Sequence, residues 1–186
     1  MAAFTVEEVC KATGGTIICQ GGTGEFGGIC TDTRSIADKD LFVALSGERF
    51  DGHDFVDIAV QNGASGVLVS KPVESVGTTV IKVDDTLSAL QKLANFHRRR
   101  FAMPIIAVTG SNGKTTTKDM LAAILNVSMP TLKTAGNFNN EIGLPLTLLE
   151  LRKEHRAAVV EMGMRGRGEI AELAKIAEPT GGIVTN

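Results

Sequence analysis

The sequence predicts an α/β protein in two parts: a small α/β domain over residues 1–100, then the opening portion of a parallel-sheet domain over residues 101–186. Three observations predict it. An apolar strand at 104–109 runs through a turn holding Gly110 and Gly113 into a helix opened by Lys114, Thr115 and Thr116. Further apolar strands at 157–161 and 182–185 alternate with helical stretches at 114–126, 143–151 and 168–178, the pattern of a parallel sheet covered on both faces. Ahead of these lie short β-prone runs, punctuated by turn residues and by two or three helices.

Taken in order, Thr5 is placed to cap a short helix, with Glu8 three residues on to complete a capping box and Gly14-Gly15 to close it. Residues 16–19 are β-prone, residues 21–24 form a glycine-rich turn, and residues 28–31 form a second strand. Residues 40–45 (Asp-Leu-Phe-Val-Ala-Leu) read as a buried strand ending at Ser46-Gly47. Residues 53–62 carry Phe55, Ile58 and Ala59 at helical spacing and stop at Gly63. Strands follow at 66–69 and 79–83, then a long helix at 85–101 with Leu87, Leu90, Leu93, Ala94 and Phe96 in register. Its closing basic run, His97 to Arg100, complements the helix dipole. Residues 98–103 hand over to the second part. There residues 136–140 form an asparagine-rich loop, and Pro145 falls in a first helical turn, where proline is tolerated. Three strands and three helices make a thin core, and the last strand runs to Asn186, so a fragment of a longer protein is expected.

Composition narrows the function classes. With 43% apolar and 22% charged residues and a net charge of −2, the chain suits one ordinary soluble domain or two small ones and carries no basic footprint for nucleic acid. It has no Trp or Tyr, so base stacking would rest on Phe alone. No apolar run approaches the ~20 residues of a membrane span. The N-terminus lacks the basic and apolar regions of a signal peptide. Cys10, Cys19 and Cys30 are odd in number and without C-x-x-C spacing, so reduced thiols in a cytoplasmic protein are expected. His53, His97 and His155 are scattered, and nothing has zinc-site spacing.

The chemistry-bearing residues begin at Thr109-Gly110-Ser111-Asn112-Gly113-Lys114-Thr115-Thr116. The glycines let successive backbone N–H groups face one point at a helix N-terminus, an anion nest suited to a triphosphate. Lys114 is placed to reach β- and γ-phosphate oxygens, and the Thr115 hydroxyl to ligate Mg²⁺. In G-x-x-x-x-G-K-[ST] the first glycine would fall at Val108, whereas here it stands at 110. Glu161, at the end of an apolar strand, lies where ligands bind in open α/β sheets and can hold the same Mg²⁺; the alternative is a solvated strand-end glutamate. In the loop from Lys133 to Pro145, Asn137, Asn139 and Asn140 offer uncharged donors and acceptors for a polar ligand beside the phosphates, or serve only to turn the chain. In the first part, Arg34 can fork onto a phosphate or pair with Asp32 or Asp40, and the residues leave this open. The run from Ser46 to His53 reads as a surface loop that could also close over a ligand.

Together, Thr31-Asp-Thr-Arg34, the run from Asp40 to Phe55, Val108 to Lys118, Gly136 to Pro145 and Val160-Glu-Met-Gly-Met164 resemble the Mur ligases, over nearly the whole chain. The loop variant Thr-Gly-Ser-Asn-Gly-Lys-Thr-Thr fits that family and accounts for the displaced glycine. The resemblance implies a three-domain, ATP-dependent, amide-forming enzyme of cell-wall precursor synthesis, with this chain holding the first domain and the start of the second. It implies Mg²⁺ as cofactor, ATP as co-substrate, and UDP-N-acetylmuramoyl-tripeptide and D-alanyl-D-alanine as partners of a monomeric enzyme. It implies that the first domain takes the UDP end through Thr33, Arg34 and the loop holding Ser46, Gly47, Arg49 and His53. Lys114 and Glu161 then act catalytically, residues 109–116 bind ATP, and Asn139 and Asn140 touch substrate or metal-bound water. Two rivals stand beside this reading. A folylpolyglutamate-type ligase would lack the first hundred residues' motifs, and a non-catalytic nucleotide or UDP-sugar module would suit a self-contained short chain.

Overall fold

The computed structural model describes residues 3–22, 24–47, 50–73 and 77–186. The chain divides into two compact units, Met1–Leu93 and Ala94–Asn186.

The first unit runs β1 (Phe4–Thr5), α1 (Val6–Thr13), β2 (Thr16–Cys19), β3 (Glu25–Phe26), β4 (Gly28–Cys30), β5 (Asp40–Val43), α2 (Val56–Gln61), β6 (Gly66–Val69), β7 (Thr79–Lys82) and most of α3 (Thr86–Arg98). Both arms of the capping box form at α1: Glu8 N–H donates to Thr5 Oγ1, and Thr5 N–H to the Glu8 carboxylate. Gly14, in the left-handed region, ends the helix. The main sheet has the order β2-β7-β6-β5-β4, parallel except for β2 against β7. β1 and β3 form a separate antiparallel pair that the sequence does not announce, because two residues each are too few for a period-2 pattern. The glycine-rich turn at 21–24 lies partly outside the described residues.

The stretch predicted as one helix over 53–62 is a 3-10 turn, Gly52–Phe55, followed by α2. Val56 and Ala59 enter the core with Phe42, Val67 and Val80, whereas Phe55 and Ile58 are exposed. The buried pair sets the helix phase, which turns Ile58 outward. Asp85 lies before α3 as its cap, its Oδ1 accepting the Ser88 N–H at 2.6 Å.

The second unit runs β8 (Ile105–Gly110), α4 (Lys114–Asn126), β9 (Thr131–Lys133), α5 (Gly143–Leu149), β10 (Ala157–Glu161), α6 (Glu169–Ala177) and β11 (Gly181–Thr185). All four strands are parallel, in the order β11-β8-β10-β9. The sequence predicts only three: β9 is three residues after Pro130, too short to carry a pattern of its own. Every residue of β10 is buried, so both faces of the sheet are covered at this central strand, whereas the edge strand β11 is largely exposed. Val108, Val159 and Ala122 of α4 form the core on one face, with Ile183 packed against them.

The basic run at the end of α3 does more than complement its own dipole. Arg98 is buried, and its guanidinium donates to the carbonyls of Ala177 (2.8 Å), Glu178 (3.0 Å) and Phe101 (3.0 Å), which satisfies the C-terminal end of α6. His97 Nε2 bonds the Leu151 carbonyl at 3.0 Å. This last turn of α3 therefore belongs with the second unit. Arg98→Ala is expected to destabilise the chain by about 2–4 kcal/mol in urea unfolding, since it leaves one buried and two half-buried carbonyls without a charged donor. Arg98→Lys should recover only part of this, because a point charge cannot fork. A loss of only a few tenths would show that water replaces the guanidinium.

Candidate functional site

The strand-to-helix turn after β8 holds the first part of the site. Gly110 adopts φ 137°, and a Cβ there would come within 2.2 Å of the Thr185 carbonyl oxygen, so β11 passes too close for any side chain. Gly113, at φ 80°, turns the chain into α4. Val108, where the longer loop pattern would put its first glycine, is instead a fully buried strand residue. Lys114 lies over the turn, Nζ donating to Gly110 O at 2.7 Å and Ser111 O at 3.2 Å. Ser111, Asn112, Thr115 and Thr116 are exposed, Thr109 is half-buried, and the Asn112 N–H donates to Asn186 O. The amides of the first turn of α4 have no intrahelical acceptors, which leaves positive potential at its start.

Glu161 closes β10 directly beside Val108, at the same sheet edge. It is 2% exposed and not a solvated strand end. Its Oε2 accepts the Thr115 hydroxyl at 3.0 Å, its Oε1 accepts Asn139 Nδ2 at 2.8 Å, and its N–H donates to Thr134 Oγ1 at 3.0 Å. Thr115 Oγ1 and Glu161 Oε2 thus present two hard oxygen donors at the spacing of neighbouring corners of an octahedron with bonds of about 2.1 Å. The donor set fits Mg²⁺.

The three asparagines separate. Asn139 reaches Glu161. Asn140 spends its Oδ1 on the start of α5, accepting from Gly143 N–H at 2.8 Å, and Asn137 is exposed. Lys118 and Thr134 also belong to this network and were not singled out by the sequence. Lys118 Nζ donates to Thr134 O at 3.0 Å and lies 3.9 Å from Glu161 Oε2. The available signal was helical spacing: Lys118 and Ala122, four residues apart, share the face that α4 buries, one turn beyond the exposed Thr115.

In the first unit, Arg34 takes one of the three partners left open: it forks onto Asp32, Nε to Oδ1 at 2.9 Å and Nη2 to Oδ2 at 2.6 Å. This hydrogen bonding pulls the Asp32 carboxyl down to about 2. Asp40 is elsewhere, buried, and accepts the Ala37 N–H at 2.9 Å; burial pushes its carboxyl up. The Arg34 guanidinium is still 87% exposed. The Thr33 carbonyl accepts from Asn62 Nδ2 at 2.9 Å.

Asp51 gathers the loop after β5, accepting from Lys71, from His53 Nδ1 at 2.5 Å and from the Ser46 hydroxyl at 2.9 Å. Lys71 and then His53 hold its carboxyl well below the usual range. Ser70 N–H donates to His53 Nε2 at 3.0 Å, so the ring proton sits on Nδ1 toward Asp51. His53 is thereby a buried fastener of the loop. Gly47 N–H donates to Phe50 O at 3.0 Å, and Arg49 lies outside the described residues. No helix among the described residues is long and apolar enough to cross a membrane.

A parallel sheet, a glycine turn into a Lys-Thr helix and a buried acid on the neighbouring strand make up the arrangement on which phosphate-binding loops are built. Sequence models of two families match: "Mur ligase family, catalytic domain" over residues 25–98 and "Mur ligase middle domain" over residues 108–186. The chain belongs to the Mur ligase family. A UDP-N-acetylmuramoyl-tripeptide–D-alanyl-D-alanine ligase from Synechocystis is 56% identical over 160 residues, covering 85% of this chain and 35% of the relative. The crystal structure of MurF from Acinetobacter baumannii superposes with a TM-score of 0.93 at 42% identity, covering 98% of this chain and 40% of that one. MurF ligase from Thermotoga maritima in complex with ADP gives a TM-score of 0.74 at 40% identity, covering 82% and 35%. This chain therefore spans well under half the length of the proteins it matches.

Proposed function

We propose that this chain forms the UDP-substrate-binding unit and part of the ATP-binding unit of a cytoplasmic, monomeric ligase that joins D-alanyl-D-alanine to UDP-N-acetylmuramoyl-tripeptide. The observation that carries the reading is the contact of Thr115 and Asn139 with the buried Glu161, beside the Gly110–Lys114 turn. The shared name of the relatives supports the choice of substrates.

In this reading residues 109–116 cradle the ATP phosphates, and Lys114 offsets the charge that develops as the γ-phosphoryl moves to the tripeptide's terminal carboxylate. The dipeptide amine attacks the resulting acyl phosphate, and a tetrahedral intermediate collapses to amide and inorganic phosphate. Thr115 and Glu161 would hold Mg²⁺, which supplies charge neutralisation at the phosphates. Asn139 holds Glu161 in place and, with Asn137 and Asn140, faces the reacting end of the substrate. Thr33, Arg34, Ser46, Gly47, Arg49 and His53 serve the UDP end. Of these, Arg34 presents the guanidinium, while His53 acts through the shape of its loop. The decisive assay is phosphate release by the full-length protein that requires ATP, tripeptide precursor and D-alanyl-D-alanine together. Release without the dipeptide, or none with all three, would refute the reading.

The first unit has its own test. The 186-residue chain is expected to bind UDP with high-micromolar to millimolar affinity, about −4 to −6 kcal/mol, by titration calorimetry. Arg34→Ala should weaken this about tenfold, the worth of one charge-assisted hydrogen bond. Binding that ignores the substitution would remove Arg34 from the site.

A further inference from the structure

Lys118 stands one helical turn beyond Thr115, and its ammonium is as buried as the carboxylate it faces: both side chains are 3% exposed. It donates to Thr134 O and not to Glu161, whose two oxygens are aimed at Thr115 and Asn139. At 3.9 Å it acts on Glu161 through charge alone. The other near charges are Asp119, 3.6 Å from Lys118, and Lys133, 2.8 Å from Asp119. Two carboxylates are thus balanced by two ammonium groups, and Lys114 at the head of α4 adds a further positive charge.

A hard divalent cation seeks about six oxygens. At this edge the protein offers one hydroxyl and one carboxylate, and no cluster of three metal-ligating side chains occurs among the described residues. The single acid that could attract a bare ion is the one whose field Lys118 cancels.

We propose that Lys118 keeps Thr115 and Glu161 from taking up a free divalent cation, so that the ion enters only with the polyphosphate that brings the remaining oxygens. This rests on the reading of the turn as a nucleotide site and adds an order of binding to it. Lys118 is a positioning residue, buried because a solvated charge would be screened away from Glu161.

The test uses Mn²⁺ as a paramagnetic probe, read by water-proton relaxation, on the 186-residue chain without nucleotide. Free Mn²⁺ should bind Lys118→Met about tenfold or more tightly than wild type, because an opposing charge near 4 Å has been removed. Lys118→Arg should keep the wild-type value. Adding Glu161→Gln to Lys118→Met should abolish the gain. A merely structural lysine would not yield a tighter metal site when removed. Free Mn²⁺ binding in wild type that matches Lys118→Met and depends on Glu161 would overturn the proposal, as would a gain that survives Glu161→Gln. Should thermal melting show Lys118→Met unfolded, Lys118→Gln carries the same comparison. A parallel arm with ADP separates the two readings: failure of wild type to take up Mn²⁺ with ADP would count against the nucleotide site, while the nucleotide-free arms decide the role of Lys118.

Discussion

Lys114→Ala in the full-length protein is expected to reduce acyl-phosphate formation on the order of 10³-fold or more while leaving affinity for the UDP precursor within about twofold. The size follows from the position of the charge. Lys114 opens α4, and its ammonium is held by the carbonyls of Gly110 and Ser111, so it lies over the turn that would cradle the transferred phosphoryl. Those contacts are weak anchors for the fold, and the half-buried side chain fills no core position, so the thermal midpoint should barely move. Arginine is no substitute here, since its planar fork cannot follow a moving phosphoryl as a compact ammonium can. Trapping the acyl phosphate with hydroxylamine measures the step directly. Turnover near the wild-type rate would remove Lys114 from the chemistry, and lost UDP binding would mean that the substitution acts through folding.

The parts of the fold legible in the sequence are those whose local signals agree with their packing. The Thr5–Glu8 capping box, the turn at Gly110–Gly113 and the helix Lys114–Asn126 each carry their boundary chemistry within a few residues. The strand Ala157–Glu161 carries burial in its composition. What escaped is set at long range. β9 is a strand because β10 lies beside it, not because Thr-Leu-Lys prefers to be one. Arg98 reads as a helix-end cation, and only the arrival of α6 makes it a buried cap.

The same division runs through the site. Lys114, Thr115 and Glu161 are picked out by residue type and placement, and the fold brings Thr115 and Glu161 into hydrogen-bond contact. Lys118 is not, because a lysine within a polar helical turn is by default exposed, and its burial depends on Thr134 offering a carbonyl 16 residues away. The asparagine loop was legible as a group but not residue by residue. One member bonds the acid, one starts a helix, and one faces solvent, and only the path of the backbone assigns these tasks. Likewise His53 is a polar loop residue in the sequence, while in the fold both ring nitrogens are committed to Asp51 and Ser70.

Glu161→Gln in the full-length protein should raise the Mg²⁺ concentration needed for half-maximal activity by roughly 100-fold, since a neutral amide is a poor ligand for a hard cation and even outer-shell changes cost 10–100-fold. The substitution also has a stability consequence. The carboxylate accepts from both Thr115 and Asn139, whereas an amide has one acceptor oxygen and one NH₂ group; with the oxygen kept on Asn139, the NH₂ faces the Thr115 hydroxyl, which must turn from donor to acceptor, and the charge-assisted character of both bonds is lost. Lys118, buried, loses its nearest fully buried counter-charge but keeps Asp119 at 3.6 Å and the Thr134 carbonyl. The expected loss is therefore about 1–3 kcal/mol, below that of a broken isolated buried pair. The two effects separate experimentally: excess Mg²⁺ should restore turnover in part but leave the apo thermal midpoint depressed, whereas Glu161→Asp should keep the charge and shift both by less. A magnesium titration that superimposes on wild type would show that Glu161 is a structural acid, and its bonds to Thr115 and Asn139 would then be read as packing of α4 against β10.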